Sequence, residues 1–138
     1  MPAQAKELRY AIDLPAGGGL RSEDGTPLDP PPEWTPEHLL LAALARCSLE
    51  SLRFHARRGG VDVGGATGSA RCLVTRRDED GRFAVVEAEL ELAVELTPEP
   101  GPDELAALLA KAKRDCFVGA SLRVTPSYRW TVNGAAAG

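Results

Sequence analysis

The chain has 138 residues and a mass of 14.6 kDa, is 43% hydrophobic and 26% charged, and carries a net charge of −4 with a pI of ≈ 5.2. This acidic balance, with its arginines scattered, leaves no basic footprint for nucleic acid or an anionic membrane. The longest apolar run, Leu39 to Ala45, falls far short of the ~20 residues that span a bilayer.

A chain of this size reads as one domain over 1–138, able to bury roughly two-thirds of its unfolded surface. Its opening residues lack the charged-then-apolar layout of a secretion signal, so the expected location is cytoplasmic. Three cysteines are too few, and odd in number, for a secreted disulfide framework. There is no Cys-x-x-Cys, and neither histidine is spaced with a cysteine as metal ligands usually are, so no metal or cofactor is expected.

Glu7 to Leu14 alternates loosely through Leu8, Tyr10, Ile12 and Leu14 and predicts a first strand. Pro15 to Pro32 reads as a loop, with Asp24-Gly25 as a hairpin signal that a short strand pair could straddle. Thr35 is placed as an N-cap, Pro36 suits the first helical position, and Glu37 complements the positive end of the dipole. Trp34 is expected to staple onto Leu39.

The helix is expected to run to about Arg58 and stop at Gly59-Gly60. Its first half is apolar on every side, which predicts burial all round. Its second half sets Leu49, Leu52 and Phe54 against Glu50, Arg53, Arg57 and Arg58. A domain this small can hardly surround such a helix alone, so a second chain is expected.

Val61 to Arg76 and Arg82 to Leu96 read as a hairpin pair joined through Asp78-Glu79-Asp80-Gly81. The second strand alternates Val86, Ala88, Leu90, Leu92, Val94 and Leu96 against a largely acidic face, a strand half buried and half wet. Asp103 to Lys113 predicts a helix, a short helical turn follows Cys116, and Val124 to Val132 is a last strand before a small-residue tail. The expected fold is α+β, with antiparallel strands clasping a buried central helix.

Three thiols invite a chemical reading. Taken singly, each is adequately explained as a small buried hydrophobe. Cys116 differs in following Arg114 and preceding a possible helix start, where amide groups lower a thiol pKa. Cys72 lies mid-strand and reads as structural.

Glu37 is sufficiently explained by the helix dipole. Ten residues of helix rise about 15 Å, so it cannot touch Cys47 of its own helix; any cooperation between them requires another subunit. Arg21 reads first as a solvated loop charge. The glycine clusters lack a phosphate-loop ending, and the Glu87–Glu95 carboxylates are too evenly spread for a metal site.

Thr35-Pro36-Glu37-His38-Leu39-Leu40-Leu41-Ala42-Ala43-Leu44-Ala45-Arg46-Cys47 resembles the helix motif of the OsmC/Ohr family, the osmotically inducible and organic hydroperoxide resistance proteins. In that family an Asn/Ser-Pro-Glu opening leads to the reactive cysteine. The family's second motif, Cys-Pro-Val-Ser, stands here as Cys116-Phe117-Val118-Gly119, in which the Pro and Ser are replaced. The order of elements is also similar over nearly the whole chain.

The resemblance implies an intertwined homodimer with sites at its interface, and a thiol peroxidase acting on organic or fatty hydroperoxides. Cys47 would become a sulfenic acid, Cys116 would condense with it to a disulfide, and a dithiol, lipoyl-type in some members, would reduce that disulfide. An arginine that polarises the thiolate carries over to Arg21, and the glutamate that orients it to Glu37. The alternative within the same family is a stress-associated dimer without peroxidase activity that holds a small apolar ligand at its interface. A thiol sensor whose disulfide changes the dimer's shape is a third reading.

Overall fold

The computed structural model describes residues 5–137, in two compact units, Met1–Pro36 and Glu37–Gly138. The first unit holds a small antiparallel sheet of β1 (Ile12–Asp13), β2 (Leu20–Ser22) and β3 (Pro27–Leu28), in the order β1-β2-β3. The turn between β2 and β3 is the one that Asp24-Gly25 predicts. The Asp24 carboxylate accepts from the Ser22 hydroxyl, the Thr26 hydroxyl and the Thr26 amide, and Gly25 takes the left-handed φ of +86° that closes the turn. Those bonds, Ser22 foremost, hold the Asp24 carboxyl down at about 2.

The first strand is much shorter than the expected Glu7–Leu14. Leu8, Tyr10, Ile12 and Leu14 do alternate, but within the chain they are exposed, and β2 offers partners only to Ile12 and Asp13. Arg21, expected in a flexible loop, is instead a β2 residue paired with Asp13 and Pro27.

In the second unit, α1 (Pro36–Arg58) ends as predicted at the glycine pair, with Gly60 at φ +75° and the Val61 amide returning to the Ala56 carbonyl. Its buried residues, Leu44, Ser48, Ser51, Leu52 and Ala56, form a single stripe. The expectation of burial all round is therefore not met within one chain: Leu39, Leu40 and Leu41 are half-buried, and Ala42, Ala43 and Phe54 are exposed. One helix face is all that a single sheet and a single neighbouring helix can cover.

The main sheet runs β4 (Asp62–Arg76), β5 (Phe83–Thr97), β6 (Ser127–Val132), β7 (Ala135–Ala137), in that order. β4 and β5 form the predicted hairpin, in register from Asp62↔Thr97 to Arg76↔Phe83 with two bulges. Gly68 is required there, since a side chain would meet the Glu91 carbonyl. The inner face of β5 (Ala88, Leu90, Leu92, Val94 and Leu96) joins Trp130, Val132 and the stripe of α1 in one core. On the outer face, Glu89 and Glu91 of the acidic row are paired with cations. Arg71 bonds Glu89 at 2.9 Å and Glu91 at 2.8 Å, and Arg129 lies 3.6 Å from Glu91.

Two features depart from an all-antiparallel sheet with a loose tail. β6 runs parallel to β5, because the connection is a crossover that contains α2 (Pro102–Arg114) and α3 (Phe117–Ala120) rather than a turn. The tail is also not loose. Asn133 (φ 51°) and Gly134 (φ 82°) make a tight turn that folds β7 back onto β6. The Asn133 side chain continues the ladder, accepting the Leu96 amide at 2.8 Å and donating to the Leu96 carbonyl at 3.1 Å.

α2 opens on Pro102 with Asp103 and Glu104 in its first turn and closes on Lys111, Lys113 and Arg114, the charge order its dipole favours. Leu108, Leu109 and Ala112 bury its inner face, and the Ser51 hydroxyl of α1 donates to the Ala112 carbonyl at 2.8 Å. Among the described residues no helix is long and apolar enough to cross a membrane.

Candidate functional site

Cys47 and Ser48 stand side by side on α1 at the margin of its buried stripe. Cys116 occupies the short link between α2 and α3, wholly buried, and its sulfur caps α3 by accepting the Gly119 amide at 3.4 Å. The fold brings the two thiols near enough to act on each other: Cys116 and the backbone amides of Val118 and Phe117 all influence the Cys47 thiol. Burial pushes the Cys47 thiol above its ordinary range. The Val118 and Phe117 amides oppose that rise and Cys116 adds to it. None of these groups is a cation.

Glu37, Arg21 and Cys72, the other residues singled out in the sequence, each have their own surroundings. Glu37 stands in the first turn of α1, about 15 Å along the helix from Cys47. It is exposed and forms no ion pair among the described residues. Arg21 belongs to the first unit, where its Nη1 donates to the Leu20 carbonyl at 2.9 Å and lies 3.9 Å from Asp29. Cys72 is half-buried on β4 opposite Ala88.

Sequence reasoning missed two polar groups around the sulfurs. Ser48, 1% exposed, bonds the Leu44 carbonyl at 2.8 Å, the Tyr128 hydroxyl at 2.9 Å and the Cys116 sulfur at 3.5 Å. The available signal was a serine inside an otherwise apolar stripe from Leu44 to Ala56. On the other side, His55 Nε2 meets Asp115 Oδ2 at 2.7 Å, while Arg114 grips both carboxylate oxygens. These bonds fasten the residue just before Cys116 to α1, two turns beyond Cys47. Cys47, Ser51, Phe54, His55, Asp115 and Phe117 line a mostly apolar cleft of about 330 Å³.

The Asp115 pin has a pH signature. Arg114 first, then His55, holds its carboxyl at about 2, against an ordinary value of 3.8. A depressed folded-state pKa stabilises the fold above the unfolded value, and that contribution fades as pH falls from about 4 toward 2. Asp115→Asn is expected to flatten the acid limb of stability between those values. Urea midpoints measured at pH 6, 4 and 3 test this, and an acid limb identical to the parent's would exclude the pin.

Residues 29–131 match the family model described as OsmC-like protein. No curated protein matches the chain. Solved structures that resemble it include an OsmC-like protein of unknown function from Vibrio cholerae (TM-score 0.73, 16% identity, covering 91% of this chain and 99% of that one). Another is an organic hydroperoxide resistance protein from Elizabethkingia anophelis with thiocyanate bound (TM-score 0.62, 20% identity, 94% and 98% covered). A third is the organic hydroperoxide resistance protein OhrB of Bacillus subtilis (TM-score 0.58, 17% identity, 91% and 98% covered). At these identities the likeness establishes the shared fold.

Proposed function

The chain belongs to the OsmC-like protein family, and from that membership and its paired sulfurs we propose that it is a thiol-dependent peroxidase for organic or fatty-acid hydroperoxides. The observation that supports this reading is the nearness of Cys47 and Cys116, which come from opposite halves of the chain and act on each other. The Cys47 thiolate attacks the outer peroxide oxygen, the oxygen–oxygen bond breaks, and the substrate leaves as an alcohol. Cys47 is left as a sulfenic acid, with Cys116 in place to close a disulfide and expel water. A dithiol reductant, such as a lipoyl group, then restores both thiols. The apolar cleft beside Cys47 suits the hydrocarbon part of such a substrate.

A thiolate is required, and the groups acting on Cys47 leave its thiol raised. Arg21 is the cation assigned to lower it, with Glu37 orienting that guanidinium. Since Glu37 cannot reach the cysteine of its own helix, the working unit is a homodimer in which the carboxylate serves another subunit's site. Two apolar features support a partner: the exposed row Leu8, Tyr10, Ile12 and Leu14, and the incompletely covered start of α1. Light scattering should accordingly report about twice 14.6 kDa. A folded monomer would remove the shared-site arrangement.

The direct test is a thiol count. Excess tert-butyl hydroperoxide added to reduced protein should lower the titratable thiols from three to one, leaving Cys72, with a Cys47–Cys116 disulfide mapped by peptide mass. Three thiols surviving the peroxide would overturn the enzyme reading. They would favour the second one, a dimer that binds an apolar ligand, for which the raised Cys47 thiol and the altered residues Phe117 and Gly119 speak.

A further inference from the structure

Near Cys47, the Cys116 sulfur also meets a linked pair of hydroxyls, the buried Ser48 and, through it, the half-buried Tyr128. Ser48 comes from α1 and Tyr128 from β6, and neither lies within the two cysteine motifs. Hydrogen-bond arithmetic fixes how they are used. Ser48 has one proton, and its contact with the Leu44 carbonyl at 2.8 Å has only one possible donor, the serine hydroxyl. With that proton committed, the Ser48 oxygen accepts from Tyr128 at 2.9 Å and from the Cys116 thiol at 3.5 Å. The Cys116 sulfur is therefore aimed at an acceptor oxygen.

The commitment is cheap to reverse. Leu44 lies one helical turn before Ser48, so its carbonyl already accepts the Ser48 amide within α1. If the Ser48 hydroxyl rotates away, no buried group is orphaned. Turned toward Cys116, the same proton donates to a thiolate, while Tyr128 continues to donate to the serine oxygen. Tyr128 itself lies half-buried, stacked on Trp130 at 5.8 Å, with Lys113 over its ring at 5.9 Å. It also lines, with Lys113 and Gly119, a cleft of about 430 Å³. The hydroxyl pair thus connects the buried Cys116 sulfur to that cleft.

We propose that the Ser48–Tyr128 pair activates Cys116 for its attack on oxidised Cys47: the Ser48 hydroxyl, held by Tyr128, turns to donate to the sulfur and supports its negative charge as the Cys116 proton passes to the departing group or to water. In this step the sulfur–sulfur bond forms and the bond from Cys47 to its leaving group breaks. Cys116 is oxidised, and the displaced group departs with its electron pair. When that group is hydroxide it leaves as water, and the step completes the peroxidase cycle proposed above, on which this inference rests. When it is an aromatic thiolate, the same attack proceeds without any peroxide.

That difference makes the test independent of the enzyme reading. Reduced Cys72→Ser protein is treated with dithionitrobenzoate. Cys47 releases one thionitrobenzoate as the mixed disulfide forms, and Cys116 releases the second as it closes. Ser48→Ala should leave the first release within about twofold and slow the second by about tenfold, the scale of one hydrogen bond to a charged sulfur. The pH inflection of the second release should also move upward. Tyr128→Phe should slow it less, by about threefold, and keeps a folded comparison should the serine variant prove unstable.

Among the described residues, the charged and titratable groups facing Cys116 are Cys47 on α1, Tyr128 on β6, and Lys113 through the Tyr128 ring; Asp115 is held by Arg114 and His55. Second-release rates and inflections equal to the parent's in both variants would overturn the proposal. If peroxide fails to oxidise the parent while dithionitrobenzoate shows the predicted pattern, the peroxidase reading falls and the activation of Cys116 stands.

Discussion

Replacing Cys47 by serine is expected to abolish hydroperoxide reduction, with the rate of tert-butyl hydroperoxide consumption falling at least ~1000-fold, equivalent to about 4 kcal/mol of barrier. A serine hydroxyl is neither ionised near neutral pH nor able to take up an oxygen and release it to a neighbouring sulfur. Cys116→Ser should behave differently. It leaves the first attack intact, so one equivalent of peroxide is consumed and a sulfenic acid persists that a carbon nucleophile can trap. Consumption by Cys47→Ser at the parent's rate would place the chemistry elsewhere in the molecule.

The same experiment interrogates Arg21. A cation stabilises the thiolate, so Arg21→Ala is expected to move the pH inflection of the first attack upward by about 1–3 units. At neutral pH the attack would slow by roughly tenfold or more. An unmoved inflection would remove Arg21 from the site, leaving the burial of Cys47 unopposed by that guanidinium.

The second large effect concerns the fold. Leu52 is 0% exposed and central in the stripe of α1 that joins the sheet core. Leu52→Ala should cost about 2–5 kcal/mol, the sum of lost apolar transfer and the cavity left behind. Against a total stability of about 5–15 kcal/mol for a domain, that is enough to shift the urea midpoint far downward. Phe54, two residues on but exposed, offers the control: Phe54→Ala should change monomer stability far less. Equal midpoints for Leu52→Ala and the parent would contradict the packing described for α1.

Much of this molecule follows from local sequence. Pro36-Glu37 and Gly59-Gly60 bracket α1 because a prolyl, acidic first turn and a left-handed glycine act on the backbone within a few residues. Strict alternation sets β5, and Asp24-Gly25 and Asp80-Gly81 set their turns. The Thr35–Cys47 motif carries the family resemblance, whereas the Asn133-Gly134 turn, though equally local in origin, reads in the sequence as the start of a tail.

Other features arise only when distant segments meet. The parallel pairing of β5 with β6 depends on a crossover packing against the sheet, and no period within either strand encodes that direction. That Cys47 comes near Cys116, that Ser48 links Cys116 to Tyr128, and that His55 fastens Asp115 are facts about residues some sixty to eighty positions apart. Likewise, the all-apolar start of α1 announces that it needs cover, but only packing shows that its own sheet covers a single face. Local propensity acts through the neighbouring backbone, whereas contact between sulfurs and hydroxyls is decided by which faces the core brings together.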